Sequence, residues 1–98
     1  MLEKTLERKV CNYIKDIGGK AFKWVCPGET GVPDRICILP GGKIIFIELK
    51  RPGRKDGRSE RQKKIFRVLE TLNCEVWLIS SMEELKERLN KGGDTNDL

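Results

Sequence analysis

The sequence contains no histidine, and this absence excludes several common kinds of active site. Without an imidazole group there can be no Ser-His-Asp triad and no histidine general base. Four cysteines are present, but no two have the C-x-x-C spacing typical of structural zinc sites, so we expect no such site. Any catalysis would have to come from carboxylates, lysine, cysteine or a metal ion held by oxygen ligands.

Long hydrophobic runs and a signal-peptide pattern are also lacking. No apolar stretch approaches the roughly 18 residues of a transmembrane helix, so we expect no membrane partner. The cysteines lie within apolar runs, as small buried hydrophobic residues do, at positions 11, 26, 37 and 74. We therefore expect reduced thiols and a cytoplasmic protein.

The composition is that of one small, strongly charged domain. Of the 98 residues, 38% are hydrophobic and 36% are charged, which predicts a compact core under a charged surface. The net charge of +5 favours a polyanionic partner such as nucleic acid, although a solvated surface accounts for much of it. We expect a single domain over residues 1–90 and a flexible, polar tail over residues 91–98.

Hydrophobic periodicity predicts an α/β fold. Apolar residues recur at helical spacing in the first segment, and Ser59 with Gln62 forms a capping box before another helical segment. A strand, a helix and a strand follow one another in the second half, so the last two strands should be parallel. The predicted helices cover residues 2–17, 59–72 and 81 onward, and the predicted strands cover 21–26, 34–39, 43–50 and 74–79. The predicted architecture is a mixed β-sheet flanked by helices, in the order α-β-β-β-α-β-α.

Two acids lie on neighbouring strands of a predicted hairpin, joined at Pro40–Gly42. A two-residue loop would place Asp34 opposite Leu49. A three-residue loop, or a bulge, would place Asp34 opposite Glu48 on the same face of the sheet. If the two acids share a metal ion, we expect the second register.

The predicted strand over residues 43–50 is apolar until its last residues, Glu48-Leu49-Lys50. Glu48 and Lys50 are two residues apart and therefore project to the same face. Together with Asp34, Glu48 can hold Mg²⁺ or Mn²⁺, and the Leu49 carbonyl can add a neutral ligand. Lys50 can orient or deprotonate an attacking water, or stabilise charge on a phosphate. We interpret this set as a site for phosphodiester hydrolysis.

A basic loop follows this strand directly. Arg51, Arg54, Lys55 and Arg58 can be read as solvated loop charges, but their position beside the acids favours contacts with DNA phosphates.

The combination of Gly31–Asp34 with Ile47–Lys50 resembles the signature of the PD-(D/E)XK nucleases, and the element order is similar to their restriction-endonuclease-like core. More narrowly, residues 3–85 resemble the virus-type replication-repair nuclease (VRR-NUC) domain. The resemblance also rests on residues 24–28, 39–43, 48–53 and 59–63. It implies a deoxyribonuclease dependent on Mg²⁺ or Mn²⁺ that acts in DNA repair, in the cytosol of a bacterium or a virus-infected host cell. The stand-alone members imply a homodimer acting on branched DNA such as four-way (Holliday) junctions.

The resemblance assigns further residues to the site. Asp34 and Glu48 match the metal-binding acids, Lys50 matches the catalytic lysine, and Glu7 matches an acid of the first helix that completes the metal site. Glu3 is the alternative to Glu7 if the helix register differs. Gln62 matches a glutamine of the following helix, although the capping box alone would also explain it. A non-catalytic nucleic-acid-binding module with this fold is the competing functional hypothesis.

Overall fold

The computed structural model describes residues 3–51 and 56–96 of the chain. The predicted α/β class and the predicted order of elements are both confirmed. The elements are α1 (Glu3–Asp16), β1 (Lys20–Lys23), β2 (Arg35–Ile38), β3 (Ile44–Leu49), α2 (Glu60–Thr71), β4 (Glu75–Ile79) and α3 (Met82–Asn96).

The strands form one sheet in the order β1-β2-β3-β4. β1, β2 and β3 pair antiparallel, whereas β3 and β4 pair parallel, as the strand-helix-strand pattern predicts. β3 therefore has a hydrogen-bonded neighbour on each side, which places the Glu48 segment inside the sheet rather than at its edge.

The two faces of the sheet are covered by different helices. Along β3, Ile45, Ile47 and Leu49 belong to a core that also contains apolar residues of α1 and α3. Phe46 lies on the opposite face, in a smaller cluster formed with α2. Because side chains alternate along a strand, Glu48 projects to the same face as Phe46, towards α2.

The connection between β2 and β3 sets the register of the hairpin. Pro40 and Gly41 occupy the central positions of a turn in which the Gly42 N–H donates to the Leu39 carbonyl (2.9 Å). Gly41 has a φ of 90°, the left-handed conformation that a type II turn requires at this position. Arg35 is paired with Ile47, so the next residues outward along the two strands are Asp34 and Glu48. The second of the two predicted registers is thereby confirmed.

α3 continues to Asn96, which is six residues beyond the predicted end of the domain at residue 90. The chain is thus helical over most of the segment that we expected to form a tail. Neither α3 nor any other helix within the described ranges has the length and apolar character needed to cross a membrane.

Replacing Gly19 by alanine should destabilise the fold more than replacing Gly28. A Cβ atom at Gly19 would lie 2.5 Å from the Ile38 carbonyl oxygen, so the backbone would have to move, at a cost of about 2–4 kcal/mol. A Cβ atom at Gly28 would meet nothing within 4 Å, and only its φ of 81° would be strained, at about 1 kcal/mol. Urea denaturation measures both variants, and equal losses of stability would contradict the close approach of Gly19 to β2.

Candidate functional site

A polar cleft of about 290 Å³ opens where β3 ends and α2 begins. It brings together residues from β3, from the loop after it and from both flanking helices. The lining residues are Glu3, Glu48, Leu49, Lys50, Arg51, Gly57, Arg58, Gln62 and Leu78. The acid and the lysine of the Glu48-Leu49-Lys50 segment therefore reach one cleft, as their spacing predicts.

Glu48 is a buried carboxyl group in an apolar strand, with 7% of its surface exposed. Its Oε2 accepts a hydrogen bond of 2.9 Å from Nε2 of Gln62. Its Oε1 is buried and has no hydrogen-bond partner among the described residues. A buried polar atom without a partner is costly, so this oxygen has an unused capacity to bind a donor or a cation.

Asp34 is held beside Glu48 by backbone contacts on both sides. Its Oδ2 accepts a hydrogen bond of 2.9 Å from the Leu49 N–H. Leu49 lies two residues beyond Ile47, the last residue of β3 that pairs with β2. The Asp34 carbonyl accepts a hydrogen bond of 3.1 Å from the Trp24 N–H. The position of the Asp34 carboxyl group is thus set by the hairpin itself.

Burial and mutual repulsion both disfavour the ionised pair. Burial, reinforced by the neighbouring Asp34 carboxylate, raises the pKa of Glu48 to about 8. Burial also raises the pKa of Asp34 above its ordinary value. Two adjacent carboxyl groups of this kind are stabilised in their charged form by a cation.

The donor set fits a divalent ion that prefers oxygen. Asp34 and Glu48 offer carboxylate oxygens, one of them without a partner, which suits Mg²⁺ or Mn²⁺. Over residues 3–51 and 56–96, no group of three or more acidic, cysteine or histidine side chains is gathered tightly enough to hold a metal ion unaided. Backbone carbonyl groups, water or substrate oxygens would have to complete the coordination.

Gln62 forms the predicted helix cap and also contacts the Glu48 carboxyl group. Its side-chain oxygen accepts from the Ser59 N–H (2.8 Å), and the Ser59 hydroxyl accepts from the Gln62 N–H (3.1 Å), which completes the predicted capping box. Its Nε2 is the group that donates to Glu48. The helix cap therefore fixes the orientation of the amide that contacts the site.

The acids of α1 are only partly brought to the site. The Glu7 carboxylate forms an ion pair of 2.8 Å with Nε of Arg35, on the sheet face opposite Glu48. Glu3 lines the main cleft and also an adjoining cleft, which Glu7, Asp34 and Arg51 share. Arg35 had no role in the sequence-based prediction, although it follows Asp34 directly and strand alternation places it towards α1.

Two of the four predicted DNA-binding residues line the cleft. Arg51 borders both clefts, and Arg58 borders the main one. The predicted contacts of Arg54 and Lys55 lie outside the described residues. Asp56, which sequence analysis did not single out, forms an ion pair with Arg58 (2.6 Å).

Replacing Glu48 by glutamine should stabilise the metal-free protein at high pH. The pKa of Glu48 is about 8 in the folded protein against an ordinary value of 4.5, so wild-type stability falls as pH rises through this window. Glutamine has no proton to lose, so its stability relative to wild type should rise by roughly 4 kcal/mol from pH 5 to pH 9. Urea denaturation in EDTA at pH 5, 7 and 9 measures the difference.

The matched control is Glu83→Gln, which neutralises an exposed acid in the first turn of α3. It should change stability by less than about 0.5 kcal/mol at every pH. If the stability of Glu48→Gln relative to wild type did not rise between pH 5 and pH 9, that result would contradict the destabilising burial of the Glu48 carboxylate.

Comparison with known proteins identifies a solved structure with the same fold. No family model matches the sequence. A protein of Acyrthosiphon pisum secondary endosymbiont phage 1, named "Putative nuclease p44", is 51% identical over 53 residues. The match covers 54% of this chain and 57% of that relative, so it spans little more than half of the relative's length. A solved structure described as a VRR_NUC domain matches with a TM-score of 0.82 and 22% identity, over 90% of this chain and 94% of that chain. The expected resemblance is confirmed at the level of structure: the chain has the fold of a VRR_NUC domain.

Proposed function

We propose that the protein is a metal-dependent DNA endonuclease that hydrolyses phosphodiester bonds. The observation that carries this proposal is a pair of neighbouring carboxyl groups, the buried Glu48 near the end of β3 and the half-buried Asp34 just before β2, with Lys50 lining the same cleft as Glu48. Binding alone would gain nothing from two carboxyl groups beside a phosphate, since they repel it. The VRR_NUC fold and the nuclease name of the phage relative support the same function.

The charge distribution supports DNA as the substrate. Residues 50–67 contain nine Lys and Arg residues against two Asp and Glu residues, a net charge of +7. The whole chain has a net charge of +5, so the remaining residues together carry −2. The positive charge is therefore concentrated in the segment that begins at the cleft and runs along α2, where it can attract a nucleic acid.

Mg²⁺ or Mn²⁺ would be held by Asp34, Glu48 and the Leu49 carbonyl group. A divalent ion bound there would polarise the phosphate and lower the pKa of bound water. Lys50 either accepts a proton from the attacking water or balances the charge that develops on the phosphate. Gln62 keeps the Glu48 carboxyl group oriented through its hydrogen bond. Arg51 and Arg58 bind phosphates beside the scissile bond.

Replacing Lys50 by methionine should reduce the rate of DNA cleavage by a factor of about 10²–10⁴, because the cleft loses its proton acceptor or its charge-stabilising group. The matched control is Lys86→Met, which alters the same Glu-x-Lys pattern (Glu84 and Lys86) on α3, away from the cleft. The measurement is cleavage of labelled DNA with Mg²⁺ or Mn²⁺ and with EDTA. Lys86→Met should cleave at close to the wild-type rate.

Two outcomes would count against the nuclease. If the wild type binds DNA but cleaves no substrate with either metal, the non-catalytic binding module is the better description. Cleavage that persists in EDTA would contradict the metal dependence.

We further propose that the protein acts as a homodimer on branched DNA. The inference rests on the resemblance to stand-alone VRR-NUC domains, and on symmetry. Symmetric resolution of a four-way junction needs two cuts, which two active sites related by a two-fold axis can make. Including a junction and a linear duplex in the cleavage assay tests this proposal, since paired cuts placed symmetrically on the junction are expected.

Of the two acids on α1, we propose that Glu3 rather than Glu7 contributes to metal binding. Glu7 is committed to Arg35, whereas Glu3 lines both clefts and has no hydrogen bond or ion pair with the described residues. Glu3→Gln should therefore weaken Mn²⁺ binding about tenfold, at the low end of the loss typical of a contact made near the ion rather than to it.

Glu7→Gln serves as the matched comparison. It should leave Mn²⁺ affinity within about twofold but lower the free energy of unfolding by about 1–2 kcal/mol, because Arg35 loses its partner. Titration calorimetry with Mn²⁺ measures the affinity, and urea denaturation measures the stability. If Glu7→Gln weakened Mn²⁺ binding and Glu3→Gln did not, Glu7 rather than Glu3 would be the acid that contributes to metal binding.

A further inference from the structure

Arg58 directly precedes Ser59, the N-cap residue of α2, and its side chain lines the cleft. Glu48, Lys50 and Gln62 line the same cleft, and the Arg58 side chain is 22% exposed. A long cationic side chain at a loop would ordinarily be mobile and extended into solvent. The limited exposure of Arg58 therefore needs specific partners to explain it.

The first of these partners is Asp56, which accepts three hydrogen bonds from Arg58. Its Oδ1 accepts from the main-chain N–H (3.0 Å) and from Nε (2.8 Å), and its Oδ2 accepts from Nη2 (2.6 Å). These hydrogen bonds hold the pKa of Asp56 below its ordinary value, so the carboxylate remains charged across the working pH range. Such a two-point contact fixes the plane of the guanidinium group as well as its position.

The second partner is Phe66 on α2. Arg58 Cζ lies 4.6 Å from the centroid of the Phe66 ring, within cation–π distance. The ring is itself buried, with 4% of its surface exposed, in the cluster beneath α2. The guanidinium group is therefore held against a rigid part of the core and not merely paired with another loop residue.

We propose that Asp56 is a positioning residue that presents Arg58 to a DNA phosphate at the mouth of the cleft. Asp56 occupies Nε and one N–H of Nη2, and no other hydrogen bond of the Arg58 side chain is formed within the described residues. Nη1 and the second N–H of Nη2 remain for a phosphate. Because the group is already held in place, binding loses less side-chain entropy than it would with a mobile arginine. This inference rests on the proposed function, since the phosphate belongs to the DNA substrate.

Simple electrostatics predicts the opposite effect for a mutation at this position. Removing the negative charge of Asp56 would strengthen attraction to DNA if charge alone mattered. If Asp56 positions Arg58, the same neutralisation should weaken binding. The sign of the change therefore separates the two explanations.

The experiment measures dissociation constants for a labelled four-way junction and a linear duplex by fluorescence anisotropy, in EDTA so that no metal is present. Asp56→Asn should weaken binding about three- to tenfold, in the range expected when a held arginine becomes mobile. Glu60→Gln is the matched control, because it removes a neighbouring acid that pairs with Lys63 and not with Arg58. It should leave binding unchanged or make it slightly tighter.

Further variants test whether Asp56 acts through Arg58. Arg58→Ala should weaken binding, and adding Asp56→Asn to it should cause no further loss, because the group that Asp56 positions is gone. Asp56→Glu should restore part of the affinity. Arg58→Lys retains the charge but cannot form the two-point contact, so it should bind about as weakly as Asp56→Asn.

The possible failures are distinguishable. Asp56→Asn binding as tightly as wild type or more tightly, like Glu60→Gln, would overturn this inference and leave the proposed function intact. Additive losses in the double variant would overturn it as well. If Asp56→Asn does not fold, as judged by circular dichroism, Arg58→Lys decides the matter, and wild-type affinity in that variant refutes the positioning role. A wild type that binds no DNA in EDTA and cleaves none with Mg²⁺ or Mn²⁺ would overturn the proposed function, and this inference with it.

Discussion

The burial of one carboxyl group, that of Glu48, is the constraint on which the candidate site depends. An ionised carboxylate in an apolar strand is unfavourable unless it is hydrogen-bonded, paired with a cation or protonated. Gln62 satisfies one of its oxygens and leaves the other without a partner. Asp34 adds a second acid instead of a cation, which increases the strain. The site is thus arranged for a positive ligand before any ligand binds, and the fold tolerates the cost because the surrounding contacts are backbone hydrogen bonds and a helix cap.

A buried acid and more accessible basic side chains lie next to each other at the cleft. Glu48 is buried beside Asp34, which lines the adjoining cleft, whereas the basic side chains Lys50, Arg51 and Arg58, which line the same cleft as Glu48, are partly or fully exposed. A metal ion and a phosphate need these two environments next to each other, since the ion is attracted to the acids and the phosphate to the ion and the bases. The separation is a consequence of chain order, because an apolar strand that ends in an acid is followed immediately by a basic loop.

Most of the fold, and the central part of the site, could be predicted from local signals. The capping box at Ser59 and the glycines of the hairpin define boundaries through chemistry that involves only nearby residues, which is why those elements occur where expected. Glu48 and Lys50 share a cleft because strand alternation is a local property. The residue opposite Asp34 could be limited to Leu49 or Glu48, because the register of a hairpin depends on the number of residues in its loop.

The sequence by itself determined the order of elements, the parallel pairing of β3 with β4, and the segments that supply acids and bases near the end of β3. Only the tertiary structure decided which of these groups meet. Glu7 pairs with Arg35 because α1 covers the opposite face of the sheet, and helical periodicity carries no information about that partner. The packing of α2 on the sheet likewise leaves Glu48 Oε1 without a hydrogen-bond partner and places Arg58 against the Phe66 ring. Such contacts join residues that are distant in sequence or set by side-chain packing, so no local pattern specifies them.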